Sequence, residues 1–328
     1  MISVILFDIL GPILVLVLLG AWTRWRFKID VGSLSKLNIY LFVPAFFFDH
    51  VVNSNLALGQ ALGVVLATVM QVAILGGLVW LIGRAAGASR GTIAAMAMCV
   101  MFYNSGNYGL ALSDLAYPPD PTGKHDGPAA QAFVVFCQNF LNFSVGLAIA
   151  GSAGGGSIRD SIRAFLRMPT LYTITVALLA RWWRMEQHQE LPKIINTSIA
   201  YLSKGLVPVA LVTLGAQLAV KPRWPRWKPV AFVLTTRLVY APLQMMGLLF
   251  GAHLLIQGRS NVADLWPWPA ENLVLTAGVP TAVNTLLVTL EMGGDAELTA
   301  DCVFWTTVFS SVTITAWLIV IRSGGLFT

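Results

Sequence analysis

Charge is the first thing this chain is short of. Only 11% of its 328 residues are Asp, Glu, Lys or Arg, against about 25% in a typical soluble domain. Hydrophobic residues make up 56% and mean hydropathy is +0.72, which excludes an ordinary water-soluble globule. Cysteine is scarce as well. Cys99, Cys137 and Cys302 all fall in apolar runs, at spacings that fit neither a metal site nor a disulfide framework, and they read as packing residues. The four histidines are scattered, H-E-x-x-H and G-x-S-x-G do not occur, and no two carboxylates share a mid-span position. That removes the familiar intramembrane hydrolase chemistries. The chain reads as a non-enzyme with no cofactor and no metal.

What is present is a series of apolar stretches, each of about 20 residues, the length that spans a bilayer as a helix. Ten are expected, at roughly 2–22, 34–53, 59–82, 92–115, 129–150, 169–183, 194–219, 230–256, 271–290 and 300–321. The first has no basic residue before it and no small-residue cleavage site, so it reads as a retained helix. The formal charge of +6 does not call for nucleic acid, because basic residues also mark cytoplasmic loops. Clusters at Arg24/Arg26/Lys28/Lys36, Arg84/Arg90, Arg159/Arg163/Arg167 and Lys221/Arg223/Arg226/Lys228 fall in the first, third, fifth and seventh connections. The other side carries Lys124, Arg181, Arg184, Lys193 and Arg259, thirteen against five. The positive-inside rule then puts the odd connections in the cytoplasm and both termini outside, in a bacterial inner membrane.

Two of these spans are broken by polar or helix-breaking residues. The fourth contains "NSGNYG" and the ninth "AGVPTAVN"; the second and seventh each carry a mid-span proline, Pro44 and Pro208. Five spans per half, with matched interruptions at the second and fourth positions, suggest an inverted repeat: 1–150, a short cytoplasmic linker at 151–168, and 169–328. Gly, Asn and Pro all weaken helix. Backbone groups freed inside hydrocarbon cost several kcal/mol each unless protein or a water-filled cavity surrounds them. Half-helix ends also carry about half a charge, positive at exposed amides, and can hold a carboxylate. Asn104, Ser105, Asn107 and Asn284 add neutral hydrogen-bonding groups there. The competing reading is a kinked helix whose polar groups satisfy one another.

"SGNYGLAL", "LVPVALVTLGAQLA" and "LTAGVPTAVNTLLVTLEMGGDAELTADCVFWTTVFSSVTIT" resemble the auxin efflux carrier family, which includes plant PIN-FORMED carriers and bacterial permeases. The resemblance covers essentially the whole chain. It implies an all-α polytopic membrane protein of ten transmembrane helices, built as two inverted five-helix repeats with crossed, broken fourth and ninth helices. It implies a scaffold from spans 1, 2, 6 and 7, which commonly forms a homodimer, and a transport domain from spans 3–5 and 8–10 that moves in elevator fashion. Substrates across the family are small organic anions, from indole-3-acetate to malate and malonate. Substrate contacts are then expected at Asn104, Asn107, Gly109, Val279, Pro280 and Asn284. The same fold could also serve as a substrate-sensing receptor or an anion channel, and flux separates those alternatives.

Ionisable residues inside a membrane are functional candidates. Arg237 lies about eight residues into the eighth span, where it either draws in an anion, pairs with the transport domain, or snorkels to the interface. Lys204 reads as snorkelling or supporting the scaffold; Asp8, Asp49, Asp114 and Asp301 read as interfacial. Gln71, Gln138, Asn139 and Asn142 supply amides that bridge helices or coordinate sodium weakly. Both broken stretches are free of carboxylates, so uniport is as plausible as coupled symport; the third span, which has no acidic residue, is where the chain departs most from plant members of the family. Phe46, Phe47 and Phe48 are open to two readings, cavity wall or packing.

Overall fold

The structure, a computed structural model, describes residues 2–53, 56–119, 126–154, 166, 169–187, 192–219, 224–256 and 264–323. Most of the expected 151–168 linker and the loop cations Lys124, Arg159, Arg163, Arg167, Lys221, Arg223 and Arg259 lie outside the described residues. Among those described, every regular element is helical, and one isolated bridge is the sole β pairing.

Among the described residues, seven helices are long and apolar enough to cross a membrane. They are α1 (Phe7–Phe27), α2 (Val31–Asn53), α3 (Gly59–Ala85), α6 (Gly127–Ser152), α8 (Lys193–Leu218), α9 (Trp227–Ile256) and α12 (Ala296–Arg322). α7 (Pro169–Gln187) is more amphipathic and ends near Trp182, Trp183 and Arg184, residues suited to an interface. Two further passages are each split in two. The first is α4 (Arg90–Met101), then α5, which starts as wide turns at Ser105–Gly109 and runs on through Leu110–Ala116. The second is α10 (Ala270–Ala277), then α11 (Val283–Glu291).

Local chemistry explains these boundaries. Asp30 caps α2, its carboxylate accepting from the amides of Gly32 and Ser33, and Ser89 caps α4 through Thr92. The first break lies at Phe102–Asn104, just ahead of the glycines at which the sequence suggests it. Gly106 and Gly109 are helical, without positive φ. Asn104 does the work instead: its side-chain oxygen accepts from the amide of Asn107 at 3.2 Å, as a helix N-cap does. Gly109 has a packing role, since a Cβ there would lie 2.6 Å from Gln131 Nε2.

α1, α2, α7 and α8 pack chiefly on one another, and α3, α4, α6 and α9–α12 form a second set. α1 and α8 approach so closely that a Cβ on Gly20 would meet the Val212 carbonyl at 2.0 Å, and one on Gly215 the Val17 carbonyl at 1.8 Å. Phe46 and Phe47 are buried against Leu110, Ala132, Val135, Leu206 and Ala210. They pack between the two sets, and neither lines the cavity described next.

Candidate functional site

The two breaks meet. Tyr103 and Thr281 form an antiparallel bridge; the amide of Asn104 donates to the carbonyl of Pro280 at 2.8 Å and the amide of Ala282 to that of Phe102 at 3.1 Å. Each extended segment thus satisfies backbone groups that the other's broken helix exposes, which is how irregular chain survives at this depth. Side chains complete the joint. The Thr281 hydroxyl donates to the Cys99 carbonyl at 2.8 Å, and the Thr281 amide donates to Thr306 Oγ1 at 3.1 Å.

Beside the joint lies a cavity of about 160 Å³. The first turns of α5 and α11 wall one side, through Asn104, Ser105, Gly106, Asn107, Val283 and Asn284. α6 contributes Gln138, Asn139 and Asn142; α2 contributes Ser35 and Asn38; α8 contributes Thr213 and Gln217. No ionisable group other than the Tyr103 phenol is among the lining residues. Ser35 and Asn38 lie toward the end of α2 that borders the first connection, and Thr213 and Gln217 toward the end of α8 that borders the seventh, both basic connections. The cavity therefore occupies one side of the joint, the basic side of the molecule.

Of the residues expected from sequence, Asn104, Ser105, Asn107, Gln138, Asn142 and Asn284 come together here. Gly109 lies behind, against Gln131, whose Nε2 donates to the Ser105 carbonyl at 3.1 Å. Pro280 offers its carbonyl to Asn104, and Val279 is wholly buried with its amide on Thr276. Gln71 donates to the Ala241 carbonyl at 3.3 Å, bridging α3 to α9 away from the cavity. Arg237 is completely buried behind the joint, so it does not snorkel. Lys204 is exposed on the outer face of α8, and Asp49 accepts from Asn53 Nδ2 at 2.8 Å.

The lining amides divide by partnership. Asn38 Nδ2 donates to Thr213 Oγ1 at 3.1 Å, and that hydroxyl gives its own proton to the Val209 carbonyl at 2.7 Å. Gln217 Nε2 reaches Ser35 Oγ at 3.3 Å. These tie α2 to α8. The side-chain amides of Asn107, Asn139 and Asn284 are partly exposed and make no hydrogen bond to the protein, leaving them for whatever fills the cavity. Ser35, Asn38, Thr213 and Gln217 are absent from the sequence-derived site, and Asn139 is read there as a helix bridge. Their signal is a polar residue near one end of an otherwise apolar span, which looks the same as an interfacial anchor. Wide helical turns mark several of these places: Asn38–Phe42, Ser105–Gly109, Asn142–Gly146 and Thr236–Tyr240. Such widenings are frequent at functional sites.

Residues 157–318 match the family model described as membrane transport protein. The chain is 24% identical over 303 residues to a Rhizobium meliloti protein named "Putative malonate transporter", covering 90% of this chain and 88% of that one. It is 23% identical over 313 residues to an "Uncharacterized transporter" of Methanothermobacter thermautotrophicus, covering 94% and 96%. Together with the apolar helices, these matches make the chain an integral membrane protein. The family these matches point to is the membrane transport protein family, the auxin efflux carrier family that the sequence resembles.

Proposed function

We propose that this protein is a secondary transporter of small organic anions, carrying mono- or dicarboxylates by alternating access around the joint of the two broken helices. One observation carries the reading: the first turns of α5 and α11 both open onto a single neutral, amide-lined cavity. Helix N-termini concentrate unpaired amides and positive potential, and carboxylates bind there. Asn107, Asn139 and Asn284 then supply hydrogen bonds without competing charge. The cavity, about 160 Å³, is small beside the roughly 300–1,000 Å³ that holds drug-sized ligands. That favours an acid of a few carbons over one bearing an indole ring, in keeping with the name of the Rhizobium relative.

In this reading the protein has ten spans in two inverted halves, with the broken passages fourth and ninth. α1, α2, α7 and α8 are the scaffold and dimer surface, and the remaining helices move against it as an elevator. The cavity opens toward the basic connections, which the positive-inside rule assigns to the cytoplasm of an inner membrane, so this is an inward-facing form. The test is uptake of labelled malonate into liposomes containing the purified protein. Saturable uptake above empty liposomes, competed by other short dicarboxylates, is expected. Uptake of no carboxylate, under any sodium or proton gradient, would overturn the assignment.

A further inference from the structure

Arg237 is a completely buried cation that does not itself line the cavity. Its position shows what it does. Nη1 donates to the carbonyl of Val100 at 2.7 Å and Nη2 donates to the carbonyl of Ala277. Val100 is in the last turn of α4, and Ala277 is the last residue of α10. The two half-helices that end at the joint are thus both capped, at their carbonyl ends, by one guanidinium from α9. The guanidinium carbon also stands 4.6 Å from the centre of the ring of Tyr103, one of the residues lining the cavity. Among the described residues no carboxylate is within ion-pair distance of Arg237, and Tyr103 is the titratable side chain that faces it.

Each helix terminus carries about half an elementary charge, negative at the carbonyl end and positive at the amide end. Two carbonyl ends at the back of the joint therefore sum to about −1, and two amide ends at the cavity to about +1. Without a further charge the joint is nearly neutral and has no preference for an anion. We propose that Arg237 is a positioning residue that sets the charge preference of the cavity without touching the substrate. Its guanidinium neutralises the carbonyl ends of α4 and α10, so the amide ends of α5 and α11 act on the substrate as an uncompensated positive pair. Its two hydrogen bonds also hold α4 and α10 at the spacing that brings those amide ends together. A mobile cation bound at the joint would do the same work; this chain supplies one covalently.

The anion preference rests on the proposed function, but the charge role does not, and the experiment separates them. Three purified proteins are compared: wild type, Arg237→Met and Arg237→Lys. Binding of malonate and thermal unfolding without ligand are each measured from pH 6.5 to pH 9.5. Arg237→Met, which keeps apolar bulk and removes the charge, is expected to bind malonate about tenfold more weakly or worse. A buried ammonium can lose its proton in an accessible pH range, whereas a guanidinium does not. Arg237→Lys is therefore expected to match wild type most closely at the low end and to lose both binding and ligand-free stability, relative to wild type, as pH rises. Should Arg237→Met not fold, the pH profile of Arg237→Lys still decides, because one sample is compared with itself. A constant offset from wild type at every pH would mean that Arg237 fills space and nothing more, and would overturn the proposal. Wild type that binds no carboxylate, with the ligand-free profile of Arg237→Lys still falling, would overturn the anion preference and the transport reading while keeping the charged cap.

Discussion

The backbone amide of Asn104 donates to the carbonyl of Pro280 at 2.8 Å, across 176 residues of chain. Each residue belongs to a helix break that would be untenable alone. Pro280 has no amide to give, and Asn104 has left the helix before it; paired, they let two passages open at the same place. The joint is then finished by side chains, and those can be removed one at a time.

Thr306 accepts the amide of Thr281 at 3.1 Å, wholly buried. Thr306→Val keeps the shape and strands that amide without a partner. A loss of about 1–3 kcal/mol is expected, read as a lower unfolding temperature. Thr306→Ser, which keeps the acceptor, should lose much less; equal losses would mean the hydrogen bond is not what matters.

Asn107, Asn139 and Asn284 make no internal hydrogen bond through their side chains. Truncation to Ala should leave unfolding temperature near wild type, because no buried partner is orphaned. Each should weaken carboxylate binding several-fold to about a hundredfold, the range expected for a lost hydrogen bond to a charged group. Normal binding in both Asn107→Ala and Asn284→Ala would make the joint purely structural.

A different relationship governs the α1–α8 contact. Gly20 and Gly215 face the partner backbone where a Cβ would come within 2.0 Å and 1.8 Å of a carbonyl oxygen. Backbone cannot yield as a side-chain tip can. Gly20→Ala and Gly215→Ala are each expected to cost about 3 kcal/mol or more, seen as aggregation or a large fall in detergent-solubilised yield. Gly77→Ala, with nothing within 4 Å of the added methyl, is the control and should be silent.

Asp126 precedes α6 and caps it through the amide of Ala129 at 3.0 Å. Burial pushes its carboxyl up from 3.8 to about 6, against the opposing pull of that amide and of Arg181. The folded protein therefore holds this proton more tightly than the unfolded chain. Its contribution is most favourable below about pH 4 and is lost as pH rises to about 6. Asp126→Asn keeps the cap acceptor and removes the titration. It should be more stable than wild type by about 1–2 kcal/mol above pH 6.5, with the difference vanishing near pH 4. A difference that does not change with pH would rule out Asp126 as its source.

Much of this was legible in the sequence because membrane constraints are severe. Long apolar runs permit little but helices, and a "NSGNYG" or "AGVPTAVN" inside one is conspicuous for the same reason. Asn104, Asn107 and Asn284 stood out because nothing apolar explains them. Ser35, Asn38, Thr213 and Gln217 did not, since a polar residue near the end of a span is normal at an interface. Only the packing of α2 on α8 brings them opposite the joint. The position of the break was also hidden: glycines suggested it, yet the chain leaves the helix at Phe102 and uses Asn104 as a cap. Arg237 was visible as a charge, but its partners are two carbonyls from distant segments, and backbone atoms leave no mark in a sequence.

Everything proposed for transport depends on the cavity beside the joint binding a small carboxylate through amide groups. The most direct measurement is the unfolding temperature of the detergent-purified protein titrated with malonate, malate, succinate and indole-3-acetate, and with malonamide as the uncharged counterpart. A ligand that binds only the folded state raises that temperature with concentration. Such a rise is expected with one or more of the short dicarboxylates, a smaller one with indole-3-acetate, and none with malonamide. A rise with malonamide equal to that with malonate, or a response to cations alone, would contradict this expectation.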